Sequence, residues 1–149
     1  MDNVEWRNSM TEILNLAEAA LYVADLEKAR AFYREVLGLV ETAVFDDAAF
    51  LQTGPDSTLI LFQIDKLESR ESVIPAHGAR GRGHVALAID SDGMAAWHER
   101  LKAHGVDIEH EQDWPLGTYS LYFRDPDENS LELIDSSHYP QVWAKFKKE

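Results

Sequence analysis

The chain repeats itself, and that repeat limits the folds open to it. Residues 18–61 read as strand, helix and three strands, and residues 84–133 read in the same order. Glu18-Ala19-Ala20-Leu21-Tyr22-Val23 aligns with His84-Val85-Ala86-Leu87-Ala88-Ile89, 66 residues later. Leu59-Ile60-Leu61-Phe62 aligns with Leu131-Glu132-Leu133-Ile134, 72 residues later, the difference being residues gained in the loops. The turns before these last strands also match, Gly54-Pro55-Asp56 over Asp125-Pro126-Asp127. A repeat of this length predicts two copies of one βαβββ unit burying a shared interior. The predicted fold class is α+β, with two modules whose mixed sheets curl around a cavity. Under a pseudo-twofold axis, Glu18 becomes equivalent to His84 and Ile60 to Glu132.

Two strands of the second copy each carry one ionisable residue in an alternating apolar pattern. Successive side chains of a strand point to opposite faces. His84 therefore shares a face with Ala86 and Ala88, and Glu132 shares one with Ser130 and Ile134. An imidazole and a carboxylate on one sheet converge on a metal ion when their strands are neighbours.

Taken in order, residues 1–15 form an N-terminal arm, with Val4, Trp6, Met10, Ile13 and Leu14 as its apolar positions. The first module covers 16–65, with strands near 17–23, 39–45, 48–53 and 58–64. Asp25 is the expected N-cap of its helix, Leu26, Ala29, Phe32, Tyr33 and Val36 form the apolar face, and Gly38 is the stop. A charged segment with Pro and Gly, 66–82, links the modules. The second module covers 83–136. Its helix spans about 92–104 and ends at Gly105; strands follow near 106–113, 118–124 and 130–135. Asp125-Pro126-Asp127-Glu128-Asn129 is a tight turn in which Asn129 is expected to supply any left-handed residue. A C-terminal helix, 137–149, carries Val142, Trp143 and Phe146.

A chain of 149 residues suffices for one domain built from two small modules. Its net charge of −13 disfavours nucleic acid and anionic membrane as partners, since both select basic patches. There are no cysteines, hence no disulfide and no thiolate metal site. No apolar run reaches the roughly 18–20 residues of a membrane span. The acidic start Met1-Asp2-Asn3-Val4-Glu5-Trp6 lacks the basic, then apolar, pattern of a signal peptide, so a cytoplasmic location is expected.

The strand Glu18–Val23, the run Asp25-Leu26-Glu27-Lys28-Ala29-Arg30-Ala31-Phe32-Tyr33 to Leu37-Gly38-Leu39, His84-Val85-Ala86-Leu87, and Tyr122-Phe123-Arg124-Asp125-Pro126-Asp127 through Leu131-Glu132-Leu133 together resemble the vicinal oxygen chelate superfamily. That superfamily includes glyoxalase I, fosfomycin-modifying enzymes, extradiol dioxygenases and bleomycin-binding resistance proteins. The resemblance covers roughly residues 16–136. It implies metal ligands at the first and last strands of each module, which fall here on Glu18, Ile60, His84 and Glu132. Ile60 cannot ligate, leaving the metal set Glu18, His84 and Glu132, with Glu18 where many relatives carry His. Many relatives likewise carry Gly where Glu128 sits.

Oxygen-rich ligation of this kind suits Mn²⁺, Fe²⁺, Mg²⁺, Co²⁺ or Ni²⁺, with Zn²⁺ also admissible. An open coordination position is what Lewis-acid chemistry on a small substrate with neighbouring oxygens requires. Lyase, isomerase, thiol-transfer and dioxygenase chemistry stay open, and the single-His set weakens the dioxygenase option. Glu132 is the candidate catalytic base. Tyr122, Ser120, Arg124 and Trp114 are the candidate substrate contacts, Tyr122 because the resemblance implies a pocket Tyr ten residues before the last Glu. A homodimer is expected, with modules pairing within or across chains. The alternative is a metal-free drug-binding protein of the bleomycin-sequestering kind. His98 and His104 are expected to be solvated, His110 can face the cavity, and His77 and His138 fall in the linker and after the last strand.

Overall fold

The computed structural model describes residues 16–69 and 80–138. The expected N-terminal arm, most of the linker with His77, and all but the start of the C-terminal helix lie outside the described residues.

The first module is β1 (Glu18–Val23), α1 (Leu26–Glu35), β2 (Val40–Val44), β3 (Ala48–Gly54) and β4 (Ser57–Gln63), followed by a short helix α2 (Ile64–Ser69). The second is β5 (His84–Ile89), α3 (Met94–Ala103), β6 (His110–Asp113), β7 (Tyr119–Arg124) and β8 (Ser130–Asp135). Each module folds into its own four-stranded mixed sheet, in the orders β1-β4-β3-β2 and β5-β8-β7-β6. In each, the first strand runs parallel to the last and the other pairings are antiparallel. The sheets are not closed into a barrel; β1 and β5 are both edge strands.

The ladder registers express the repeat residue by residue. Glu18 pairs with Thr58 as His84 pairs with Ser130, and Ala20 pairs with Ile60 as Ala86 pairs with Glu132. One apolar core serves both modules. Leu21, Val23, Leu59 and Leu61 of the first sheet meet Leu121, Phe123, Leu131 and Leu133 of the second, with α1 and α3 contributing Leu26, Ala29, Tyr33 and Leu101. Fully burying one such Leu is worth on the order of 2 kcal/mol, so this shared face fixes which way each strand is turned. Glu18 and Glu132 lie on strand faces opposite to it.

Local signals behave as their chemistry dictates. The Asp25 carboxylate accepts the Lys28 N–H at 3.1 Å and caps α1. Gly38 and Gly105 terminate α1 and α3 at φ +71° and +69°.

Three expectations need correction. Residues 106–109 do not continue β6. The Val106 N–H bonds back to the Leu101 carbonyl at the end of α3 at 2.9 Å, and Glu109 makes a single contact with β7, its N–H on the Tyr122 carbonyl at 2.7 Å, so the ladder proper covers His110–Asp113. The segment after β4 begins as helix α2 rather than linker, because Leu67 buries against Ala48, Ile60 and Phe62. In the turn before β8 the left-handed residue is Glu128, φ +62°, and not Asn129. Asn129 is 1% exposed and its side chain is committed to hydrogen bonds inside the fold.

Candidate metal centre

β8 lies between β5 and β7, so Glu132 is flanked by Ala86 on one side and Tyr122 on the other. His84 projects from the same face of β5. Its Nε2 stands 3.3 Å from Oε2 of Glu132. Its Nδ1 lies 3.0 Å from the Ser130 carbonyl, which can only accept, so Nδ1 carries a hydrogen and Nε2 is the nitrogen turned to the Glu132 carboxylate. A backbone carbonyl holding the far nitrogen of a histidine is the usual support of a metal-binding imidazole.

The Glu132 carboxylate is almost fully buried, at 5% exposure. The Trp114 indole N–H donates to Ser120 Oγ at 2.9 Å, and Ser120 donates its only hydroxyl proton to Glu132 Oε1 at 2.7 Å. Indole N–H is a donor only, so the direction of this chain is fixed. Oε1 is thereby occupied from behind, while Oε2 faces His84. Tyr122 lies beside the same carboxylate and stacks on the His84 ring at 6.4 Å between centroids. Burial, reinforced by the negative charge of Glu132, pushes its pKa up to about 12, so the phenol stays protonated at neutral pH.

Next to this face is an open recess of about 310 Å³ lined by Trp114, Tyr122, Arg124, His110, Gln112 and Glu109. Three of the four expected substrate contacts border it. Ser120 does not; it is fully buried and acts on Glu132 instead. Arg124 is engaged by Glu109 through two hydrogen bonds of 2.6 and 2.9 Å. His110 borders the recess, 6.0 Å from the Tyr122 ring. His98 pairs with Glu111 at 3.1 Å on the surface.

Glu18 is placed differently. It borders a separate recess of about 450 Å³ together with the Val85–Ala88 stretch of β5. Gly83, at the start of β5, packs against Leu21 of β1. The two edge strands thus pass each other in opposite directions, which puts Glu18 and His84 at opposite ends. Among the described residues no three His, Cys, Asp or Glu side chains of one chain are close enough to hold a metal ion. The chemistry of the donor pair suits a divalent ion, because an imidazole nitrogen and a carboxylate oxygen held face to face need a cation or a proton between them. This chain alone supplies two donors of the set.

Ser120, read from sequence as a substrate contact, shares strand parity with Tyr122 and pairs with Ile134, two residues from Glu132, which puts its hydroxyl beside that carboxylate. Trp114 reaches Ser120 through the β6–β7 hairpin: its N–H on the Thr118 carbonyl at 2.8 Å sets it opposite Thr118 and diagonal to Ser120.

Two mixed sheets of this topology, with a His and a Glu paired on neighbouring strands of one of them, define a two-module α+β scaffold. Residues 15–133 match the family described as Glyoxalase/Bleomycin resistance protein/Dioxygenase superfamily, and the chain belongs to it. It is 31% identical over 119 residues to the glutathione transferase FosA of Serratia marcescens, covering 80% of this chain and 79% of that one. It is 27% identical to the lactoylglutathione lyase of Salmonella typhimurium, covering 83% and 93%. The crystal structure of lactoylglutathione lyase from Agrobacterium tumefaciens superposes with a TM-score of 0.77 at 35% identity, covering 85% of this chain and 96% of that one. These relatives are enzymes. Among the described residues no helix is long and apolar enough to cross a membrane.

Proposed function

We propose that the chain is a divalent-metal-dependent enzyme acting on a small molecule that offers the metal two neighbouring oxygens. The observation that carries this is the pair His84 Nε2 and Glu132 Oε2, 3.3 Å apart, with the far atom of each group held by Ser130 and Ser120. Glu18 is the third ligand, and its distance from His84 within one chain favours its delivery by a second copy. The functional unit is then a homodimer in which Glu18 of one protomer joins His84 and Glu132 of its partner. A bound divalent ion would act as Lewis acid on the substrate oxygens. Tyr122 donates a hydrogen bond to a substrate oxygen, Trp114 walls the recess, and Glu132, aimed by Ser120, is the group placed to take a proton. The names of the relatives point to lyase or thiol-transfer chemistry, with an adduct of a thiol and a small electrophile as substrate class.

Elemental analysis of protein purified without chelator or metal-binding tag tests this. About one divalent ion per protomer is expected, because folded-state ligands hold metal that the unfolded chain does not. Dilution should release metal and monomer together. A chain that stays metal-free under added Mn²⁺ or Ni²⁺ would instead be a metal-free small-molecule binding protein. A monomer that keeps its metal would exclude the cross-chain Glu18.

A further inference from the structure

Tyr33, on α1 of the first module, is a buried polar group outside the metal centre. Its ring is fully buried, and its hydroxyl donates to Asp125 Oδ2 at 2.8 Å, across 92 residues of sequence. Asp125 is 4% exposed and accepts four hydrogen bonds. Oδ1 takes the Asp127 and Asn129 backbone N–H groups at 2.9 and 2.8 Å; Oδ2 takes Tyr33 and the Asn129 amide at 2.8 and 2.9 Å. With its NH₂ given to Asp125, the Asn129 side chain has a fixed orientation. Its Oδ1 accepts the Gly83 N–H at 2.7 Å. Gly83 in turn accepts from the Ser130 N–H at 2.9 Å, and the Ser130 carbonyl holds His84 Nδ1 at 3.0 Å.

We infer that Tyr33 is a positioning residue for His84, acting through Asp125 and Asn129 on the backbone of Gly83. The inference rests on the metal-site reading above but concerns how the first module sets the ligand of the second. Every link has one available role. Asp125 only accepts, Asn129 must donate to Asp125 and accept from Gly83, and Ser130 is held at both its N–H and its carbonyl. Leu21 of β1 packs directly against Gly83, with its Cδ2 where a Cβ would stand. Burial, and then the charge of Asp125, hold the Tyr33 pKa well above its ordinary value, so the hydroxyl is always present as a donor. Removing that donor leaves a buried carboxylate short of one partner, and the adjustment passes along Asn129 to the start of β5. The same turn also grips the end of β1, where Asp127 accepts the Ala24 N–H at 2.8 Å. The five-residue turn is therefore where the first module grips the ligand strand of the second.

The experiment compares full-length Tyr33→Phe with Leu51→Val, a core change outside the chain of hydrogen bonds. Both are melted, titrated with Mn²⁺, and followed by ¹⁵N NMR of the His84 ring without metal. Tyr33→Phe should lose about tenfold in Mn²⁺ affinity, the low end for outer partners of metal ligands. It should also move the ring ¹⁵N shifts away from those of the parent. Leu51→Val should lower the melting temperature with the affinity and the ring shifts of the parent. Unchanged ring shifts in Tyr33→Phe, or equal shifts in Leu51→Val, overturn the positioning role. A parent that binds no Mn²⁺ while Tyr33→Phe still disturbs the ring overturns the metal reading and leaves the positioning role standing.

Discussion

The two modules share one ladder and differ in what they hang on it. Ala48, Phe50 and Ile60 of the first sheet occupy the register positions of Ser120, Tyr122 and Glu132 in the second. At each of the three the first module has the apolar counterpart. Glu132 sits among Ser120, Tyr122 and His84 with its oxygens directed. Ile60, 1% exposed, sits with Ala48, Phe62 and Leu67 in a dry cluster under α2. One backbone thus supports a packed face in one copy and a polar centre in the other. Burial there is affordable for a carboxylate only where its partners come with it.

The largest break in this comparison is Ile60→Glu. The new carboxylate would enter the apolar cluster unpaired, and a loss of about 4 kcal/mol or more is expected, read by urea unfolding. Adding Ala48→Ser and Phe50→Tyr should recover part of it. No recovery would mean that α2, rather than the missing hydroxyls, is what makes the site apolar. Adding Mn²⁺ should not rescue Ile60→Glu, since the residue faces Leu67 and not an open recess.

His84→Ala comes next. It removes a proposed ligand outright, and at least about a hundredfold loss of Mn²⁺ affinity is expected in a calorimetric titration, more than outer-partner changes cost. Glu18→Ala should do the same only if Glu18 reaches the metal of a second copy. Mixing Glu18→Ala with His84→Ala chains should then restore binding in half of the sites of the mixed dimer, with about half of the chains pairing as heterodimers at random.

Ser120→Ala is smaller, about tenfold in affinity, because Glu132 keeps its place but loses the donor that aims Oε1. Tyr122→Phe should leave affinity nearly alone and change the alkaline titration. The folded pKa of Tyr122 is raised to about 12 from an ordinary value near 10. The protonated phenol is favoured by folding, so its contribution is complete below pH 10 and is lost as pH rises through about 12. Ultraviolet titration of Tyr122→Phe should lack one late-ionising tyrosine.

The smallest effect belongs to the turns. Glu128 holds a left-handed conformation in the second module and forms an exposed ion pair with Arg82. Glu128→Gly should stabilise by about 0.5 kcal/mol, the relief of left-handed strain less the added entropy of the unfolded chain. Thermal unfolding checks the sign.

Much of the fold was legible because it is written in local periodicity. The alternation of β1, β5 and β8, the Asp25 cap and the stops at Gly38 and Gly105 follow from neighbouring residues alone. The repeat carried the register, so the equivalence of Glu18 with His84 and of Ile60 with Glu132 could be read before any coordinates. Of the site, the convergence of His84 and Glu132 is legible as an expectation, and so is Ser120 as a site residue, but not its hydrogen bond to Glu132. Residues 106–109 read as extended, and that pattern does not show that Val106 bonds back to the end of α3 rather than to β7.

By itself, the sequence determined which residues share a face, since a strand's period of two leaves no choice once the core face is apolar. The tertiary structure decided what each face meets. It set β1 and β5 to pass in opposite directions, which separates Glu18 from His84 within the chain. It brought Tyr33 to Asp125. Such pairings depend on how two sheets and two helices settle around one core, and no periodicity in the chain encodes the distance between residues 33 and 125.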